Sequence, residues 1–267
     1  MLLTIPPRFA PNTFLGFPLC TELDNLKADV AILGIPYGDP YSMDEVTNDQ
    51  TNAPSAVRSE SVRLSNGLAH WDFDLGGPLF NGRDIRVVDC GDVPGDPADI
   101  KGHYRFAETA VKTILDRGAL PIVIGGDHGV PIPVLRAFDG RGPITLVHVD
   151  AHLDWRDEVN GVREGYSSPI RRASELSHIH QIVQIGMRGQ GSARAKEVED
   201  ALAYGAEIIT AYEVHEKGMD SILDRIPTNE RFYLTIDADG LDPTVMPAVG
   251  GPAPGGLLFH QVRRLIH

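Results

Sequence analysis

A chain of 267 residues with 42% hydrophobic content is long enough for one large α/β domain, and no Ser/Gly-rich linker or charge run divides it. Its 37 acidic against 24 basic residues leave a formal charge of −13, which argues against nucleic acid and suits a small cationic partner. Two cysteines, no basic-then-apolar leader and no apolar stretch of bilayer length argue against a disulfide scaffold or a membrane protein, and a cytoplasmic location is expected. In chain order, β-rich runs are expected at 29–35, 85–92, 120–126, 144–150, 179–187, 206–212 and 231–237. Helical patterns lie between them at 54–65, 103–117, 131–139, 191–204 and 219–225, and "GGLLFHQVRRLIH" begins one more. Near-continuous apolar strands alternating with helices imply a parallel sheet covered on both faces. Cys90, inside the second run, reads as a small core residue. Two long polar stretches, 37–54 and 155–168, each follow a strand, the position at which loops most often carry function.

Three of the strands end in polar clusters: "GGDH" (125–128), "DAHLD" (150–154) and "DADGLDP" (237–243). In an open parallel sheet, ligands sit outside the carboxyl ends of the strands, where all three clusters fall. Side chains two apart on extended chain point the same way, so Asp150, His152 and Asp154 are expected to share one face, as are Asp237 and Asp239. Taken singly, "GGDH" reads as a glycine turn with Asp127 capping a helix, and "GLDP" as an ordinary turn. His148, deeper in its strand, reads as a hydrogen-bonded core histidine. Together with His128, however, four carboxylates converge that would repel one another or hold protons. Divalent cations remove that repulsion. A single zinc is saturated by three or four protein ligands, whereas six donors suit a pair of metals bridged by carboxylates. The oxygen-rich, thiolate-free set leans toward two Mn2+, with Ni2+ or Zn2+ compatible with the imidazoles.

These three motifs, in this order and each after a strand, resemble the ureohydrolases, the family of arginase and agmatinase. "GIPYG" (34–38), "NAPSAVR" (52–58), "VVDCGDV" (87–93), "SPIRRA" (168–173) and "PAPGGL" (252–257) extend the agmatinase-like resemblance from about residue 30 to the end. It implies a three-layer α/β/α sandwich around a mainly parallel sheet, with residues 1–267 as one catalytic domain after an N-terminal extension (1–28). It also implies that His128, Asp150, Asp154 and Asp237 hold one metal and His152, Asp150, Asp237 and Asp239 the other. Water activated between the metals would attack a guanidino carbon, releasing urea and an amine, with Asp154 passing the proton to the leaving nitrogen. Family members are commonly trimers or hexamers, so a homo-oligomer is expected, without nucleic acid or membrane as partners.

Two positions depart from the family pattern and bear on the substrate. Tyr166 stands where agmatinases carry a histidine proposed as a proton shuttle; with an ordinary pKa near ~10 it is a poorer shuttle, and contact with substrate is expected instead. Ala253 stands where many relatives carry a glutamate that grips the guanidinium. Asp157, with Glu158, Glu164, Asp39, Asp44 and Glu45, could replace that acid or meet a distal amine. The family usually continues for one more strand and helix beyond the position of His267. The reading is therefore an agmatinase-like amidinohydrolase. The alternatives are a formiminoglutamase-like hydrolase of another amidine, or a non-catalytic subunit, which would be expected to have lost ligands.

Overall fold

The computed structural model describes residues 12–42, 49–96, 99–227 and 231–267; Asp44 and Glu45 lie outside them. Contacts gather the chain into two compact units, residues 1–137 and 138–267, each with its own parallel sheet.

In the first unit β1 (Val30–Ile35) lies between β2 (Val87–Asp92) and β3 (Leu120–Gly125), giving the order β2-β1-β3 with parallel pairing throughout. β1 is central and therefore apolar, buried from Ala31 to Ile35. α1 (Ala53–Ser61) starts with Pro54 in its first turn and sends Arg58 inward, where it donates to Asp89 and Asp92 at the end of β2. α2 (Ile100–Asp116) is capped by Asp99, whose side chain accepts from the Gly102 amide at 2.8 Å. It buries His103, Tyr104, Ala107, Ala110, Val111 and Ile114, the i, i+3, i+4 spacing of a single helical face. A short α3 (Pro131–Arg136) follows β3.

The second unit has the order β6-β5-β4-β7, formed by β4 (Ile144–Val149), β5 (Ile179–Met187), β6 (Glu207–Thr210) and β7 (Arg231–Ile236). All six residues of β4 are buried. On one sheet face Val147, Val149, Val183, Ile185 and Ile209 pack with Val214 of α6 (Ala211–Lys217), Met219 and Ile222 of α7 (Met219–Leu223), and Val262 of α8 (Phe259–Ile266). α4 (Pro169–Ala173) and α5 (Ala195–Tyr204) make up the remaining helices of the unit. The chain runs outward from β4 to β6 and then returns to the other side of β4 as β7. The strand order therefore reverses between β4 and β7, and in open α/β sheets ligands bind outside the carboxyl ends of the strands at such a reversal.

All seven expected strands form. The sixth is shorter than expected: it ends at Thr210, whose hydroxyl accepts from the Glu213 amide at 3.1 Å and so starts α6. The five-residue α4 has too little periodicity to be anticipated.

Candidate metal centre

The carboxyl ends of β4 and β7 are laced together before any side chain is considered. Asp237 donates its amide to the Val149 carbonyl at 2.8 Å, and Asp150 donates to Ile185 at 3.1 Å. Gly240 follows the cluster after β7, and a Cβ there would lie 2.8 Å from the Asp150 nitrogen, so no other residue fits. The tight approach brings Asp239 to the segment after β4: its Oδ1 accepts from the Ala151 amide at 3.2 Å.

The expectation of a shared extended face is not what forms. β4 stops at Val149, the chain bends at Ala151 and His152, and Asp154 adopts a left-handed φ of 51°. As a result His152 and Asp154 turn to different neighbours. Donor atoms of Asp150, His152 and Asp239 lie within 4.8 Å of one another, and so do donor atoms of His148, Asp150 and Asp154. Asp150 belongs to both groups. Asp237 and Asp239 do not share an extended face either. Asp237 caps the 3-10 turn Ala238–Gly240, its Oδ1 accepting from the Asp239 amide at 2.9 Å, and it stands outside both groups.

Within the first group, His152 Nδ1 lies 3.1 Å from Asp239 Oδ2 and 3.3 Å from Asp150 Oδ1. Donation from its ring to the Asp150 and Asp239 carboxylates pushes its pKa up to about 10. Asp150 is buried and accepts from the His152 amide on Oδ1 at 2.6 Å and faces His148 Nε2 with Oδ2 at 2.8 Å. His148 is the buried, hydrogen-bonded histidine expected, and its ring nitrogens are both engaged, Nδ1 lying 3.0 Å from Gln184 Nε2. It is therefore not a free ligand despite its place in the second group. A carboxylate- and imidazole-rich set with no thiolate, gathered at these strand ends, fits hard or borderline divalent cations.

In the first unit, the chain after β3 turns through Gly126, where a Cβ would meet the Pro36 carbonyl oxygen at 1.9 Å. Asp127 secures that turn, accepting from Gly129 at 2.8 Å and Gly38 at 3.1 Å, rather than capping α3, whose N-cap is Val130. His128 follows at the carboxyl end of β3, half-buried.

Arg188, just past β5, was not singled out by the sequence. Its guanidinium donates to the carbonyls of Asp239, Gly240, Leu241 and Gly186, and to that of Ala253 at 2.7 and 3.0 Å. It fastens the turn after β7 to the segment around Ala253. Gln184 was missed as well, although a glutamine inside the apolar run "IVQIGM" is a visible signal. Asp157 accepts from Arg172 at 2.6 Å and from Arg163 at 3.0 Å, which holds its carboxyl below the usual range. Tyr166 is exposed, as is Glu158.

Strand ends of parallel α/β units that carry such a donor set are suited to metal-dependent hydrolysis. The arginase family's sequence profile matches residues 28–267, and the chain belongs to the arginase family. Proclavaminate amidinohydrolase of Streptomyces clavuligerus is 34% identical over 98% of this chain and 82% of its own. Guanidinobutyrase of Pseudomonas aeruginosa is 32% identical over 92% of this chain and 75% of its own. The solved structure of the Streptomyces amidinohydrolase superposes with a TM-score of 0.78 at 30% identity, covering 94% of this chain and 81% of that one. Members of the family are hydrolases of guanidino compounds that use a dinuclear metal centre, and the His/Asp cluster described above fits such a centre.

Proposed function

We propose that this chain hydrolyses a guanidino acid to urea and an amino acid at a dinuclear manganese centre. The ligands proposed are the six motif residues His128, Asp150, His152, Asp154, Asp237 and Asp239. Asp150 shared between two donor groups is the observation that carries the reading, because a bridging carboxylate is what a metal pair requires. Bound there, the metals would supply Lewis-acid polarisation and lower the pKa of water into the neutral range. This chain's own residues do the rest. Asp154 accepts a proton from the attacking water and delivers it to the leaving nitrogen, and Tyr166 contacts the substrate beyond the guanidino group.

The preference for an acid over agmatine follows from charge. Asp157, an acid that could meet a distal ammonium, is engaged by Arg172 and Arg163. Arg156 and Arg171 of the same stretch are likewise paired, 3.4 Å from Glu197 and 3.6 Å from Glu175, so what disfavours agmatine is the loss of Asp157 as a partner for its distal ammonium. The names of the Pseudomonas and Streptomyces relatives, a guanidinobutyrase and an amidinohydrolase of proclavaminate, support this direction. Ala253 supports a second reading, a formimino substrate, because a guanidinium without an anionic acceptor there loses a charge-assisted hydrogen bond worth ~1.5–3 kcal/mol.

Manganese-loaded enzyme assayed side by side on 4-guanidinobutyrate, agmatine, arginine and formiminoglutamate tests both. The guanidino acid is expected to give the highest kcat/KM, by roughly tenfold or more over agmatine, the effect of ~1.4 kcal/mol. Agmatine leading the series would overturn the charge argument, and formiminoglutamate leading it would favour the second reading.

A further inference from the structure

His148 and Gln184 face each other across β4 and β5, paired in register, and both are fully buried. A histidine and a glutamine at that depth need hydrogen-bond partners, and the way theirs are arranged has a direction. Gln184 Nε2 lies 2.8 Å from the Leu153 carbonyl oxygen and 3.0 Å from His148 Nδ1. A carbonyl oxygen only accepts, so the amide nitrogen must be the atom facing it; the flipped amide would set two oxygens against each other. One N–H therefore goes to Leu153 and the other to His148 Nδ1, which makes Nδ1 the acceptor. The ring proton then sits on Nε2, which donates to Asp150 Oδ2 at 2.8 Å. The other oxygen of the same carboxylate accepts from the His152 amide at 2.6 Å.

The relay runs one way, from Gln184 through His148 to Asp150. We propose that His148 and Gln184 are positioning residues: they lock the orientation of Asp150 so that this shared carboxylate is set for both metals, and neither is itself a ligand. The inference rests on the dinuclear reading above. A histidine that serves only to fill the core would not need its tautomer fixed by a glutamine that leaves its own oxygen, Oε1, buried without a partner.

The test is Mn(II) affinity of the full-length protein after chelation and dialysis, followed by the electron paramagnetic resonance signal of free Mn(II), with urea release and thermal melting alongside. Wild type is expected to bind two Mn(II). His148→Phe, which keeps an aromatic ring and loses the donor, is expected to bind the pair ~10–100-fold more weakly, the usual scale for losing an outer-sphere partner of a metal ligand. His148→Gln places an N–H near the position of Nε2 and is expected to recover most of that loss. Gln184→Met leaves the histidine in place and is expected to weaken Mn(II) binding as well, so it carries the test if the Phe variant does not fold. Wild-type Mn(II) affinity in His148→Phe or Gln184→Met would reduce the pair to core packing and overturn the proposal. A His148→Gln variant as weak as His148→Phe would point to direct ligation and overturn it too. Wild type that binds fewer than two Mn(II) would instead remove the dinuclear reading on which the proposal stands.

Discussion

A carboxylate that accepts from His148 on one oxygen and from the His152 amide on the other is oriented from two sides, and Asp150 is also the member common to both donor groups. Asp150→Asn keeps the shape but removes the charge that balances two dications. Elemental analysis should show the loss of both metals from this variant, whereas His128→Asn should deplete mainly one. Loss of a single metal from Asp150→Asn would contradict a shared role. Tyr166 offers a second residue-scale test. If its hydroxyl contacts substrate, Tyr166→Phe should raise KM severalfold and lower kcat by less than the ~10²-fold typical of losing a general acid or base. Unchanged kcat and KM would show that the tyrosine is only a loop residue.

Among the elements, the turn after β7 depends on Arg188. Replacing it with Lys keeps the charge and forfeits the fork that reaches the carbonyls of Asp239 and Ala253 together. Arg188→Lys should cost ~1–3 kcal/mol through unsatisfied carbonyls, visible as a fall of several degrees in melting temperature, with weaker metal binding because Asp239 is on that turn. The same turn has a pH signature. Asp242 accepts from the Thr244 amide and hydroxyl and from the Gly255 and Gly256 amides, which holds its pKa down at about 2. A carboxyl depressed in the folded state contributes stability above its unfolded pKa and loses it as pH falls toward the folded value. Acid melts should therefore show a loss between about pH 4 and pH 2 that Asp242→Asn lacks. In the first unit, Arg58→Met would leave Asp89 and Asp92 as buried charges and should destabilise by ~3–5 kcal/mol in a denaturant melt.

The strands were legible in the sequence because each is a short apolar run bounded by turn residues, and burial on both faces leaves that mark. The identities of the clustered residues were legible for a related reason, since ionisable side chains at the ends of apolar strands have few structural explanations. Their grouping was not legible from alternation; only the family resemblance had already set Asp154 apart from His152 and Asp239, with Asp150 shared. Alternation assumed that residues 150–154 continue the strand, whereas close approach of Gly240 and the left-handed backbone at Asp154 turn His152 and Asp154 apart. Arg188 was invisible because its partners are carbonyls, which no side-chain pattern encodes. The end of β6 was hidden because Thr210 is both a good strand residue and a good cap.

At the scale of the whole molecule, two parallel α/β units present their chemistry at strand ends, and the chain as a whole carries a formal charge of −13. That field favours cation capture. Manganese association should therefore slow as ionic strength rises, and a stopped-flow series in salt would measure it. Among the described residues no helix is long and apolar enough to cross a membrane. The family and the site together make the metal pair the centre of the account. It is tested most directly by adding Mn(II) stepwise to metal-free protein and recording urea release from 4-guanidinobutyrate at each equivalent. Activity rising until two equivalents per chain are bound, and flat thereafter, is the result predicted. Full activity at one equivalent, or without added metal in protein shown by elemental analysis to be metal-free, would contradict it.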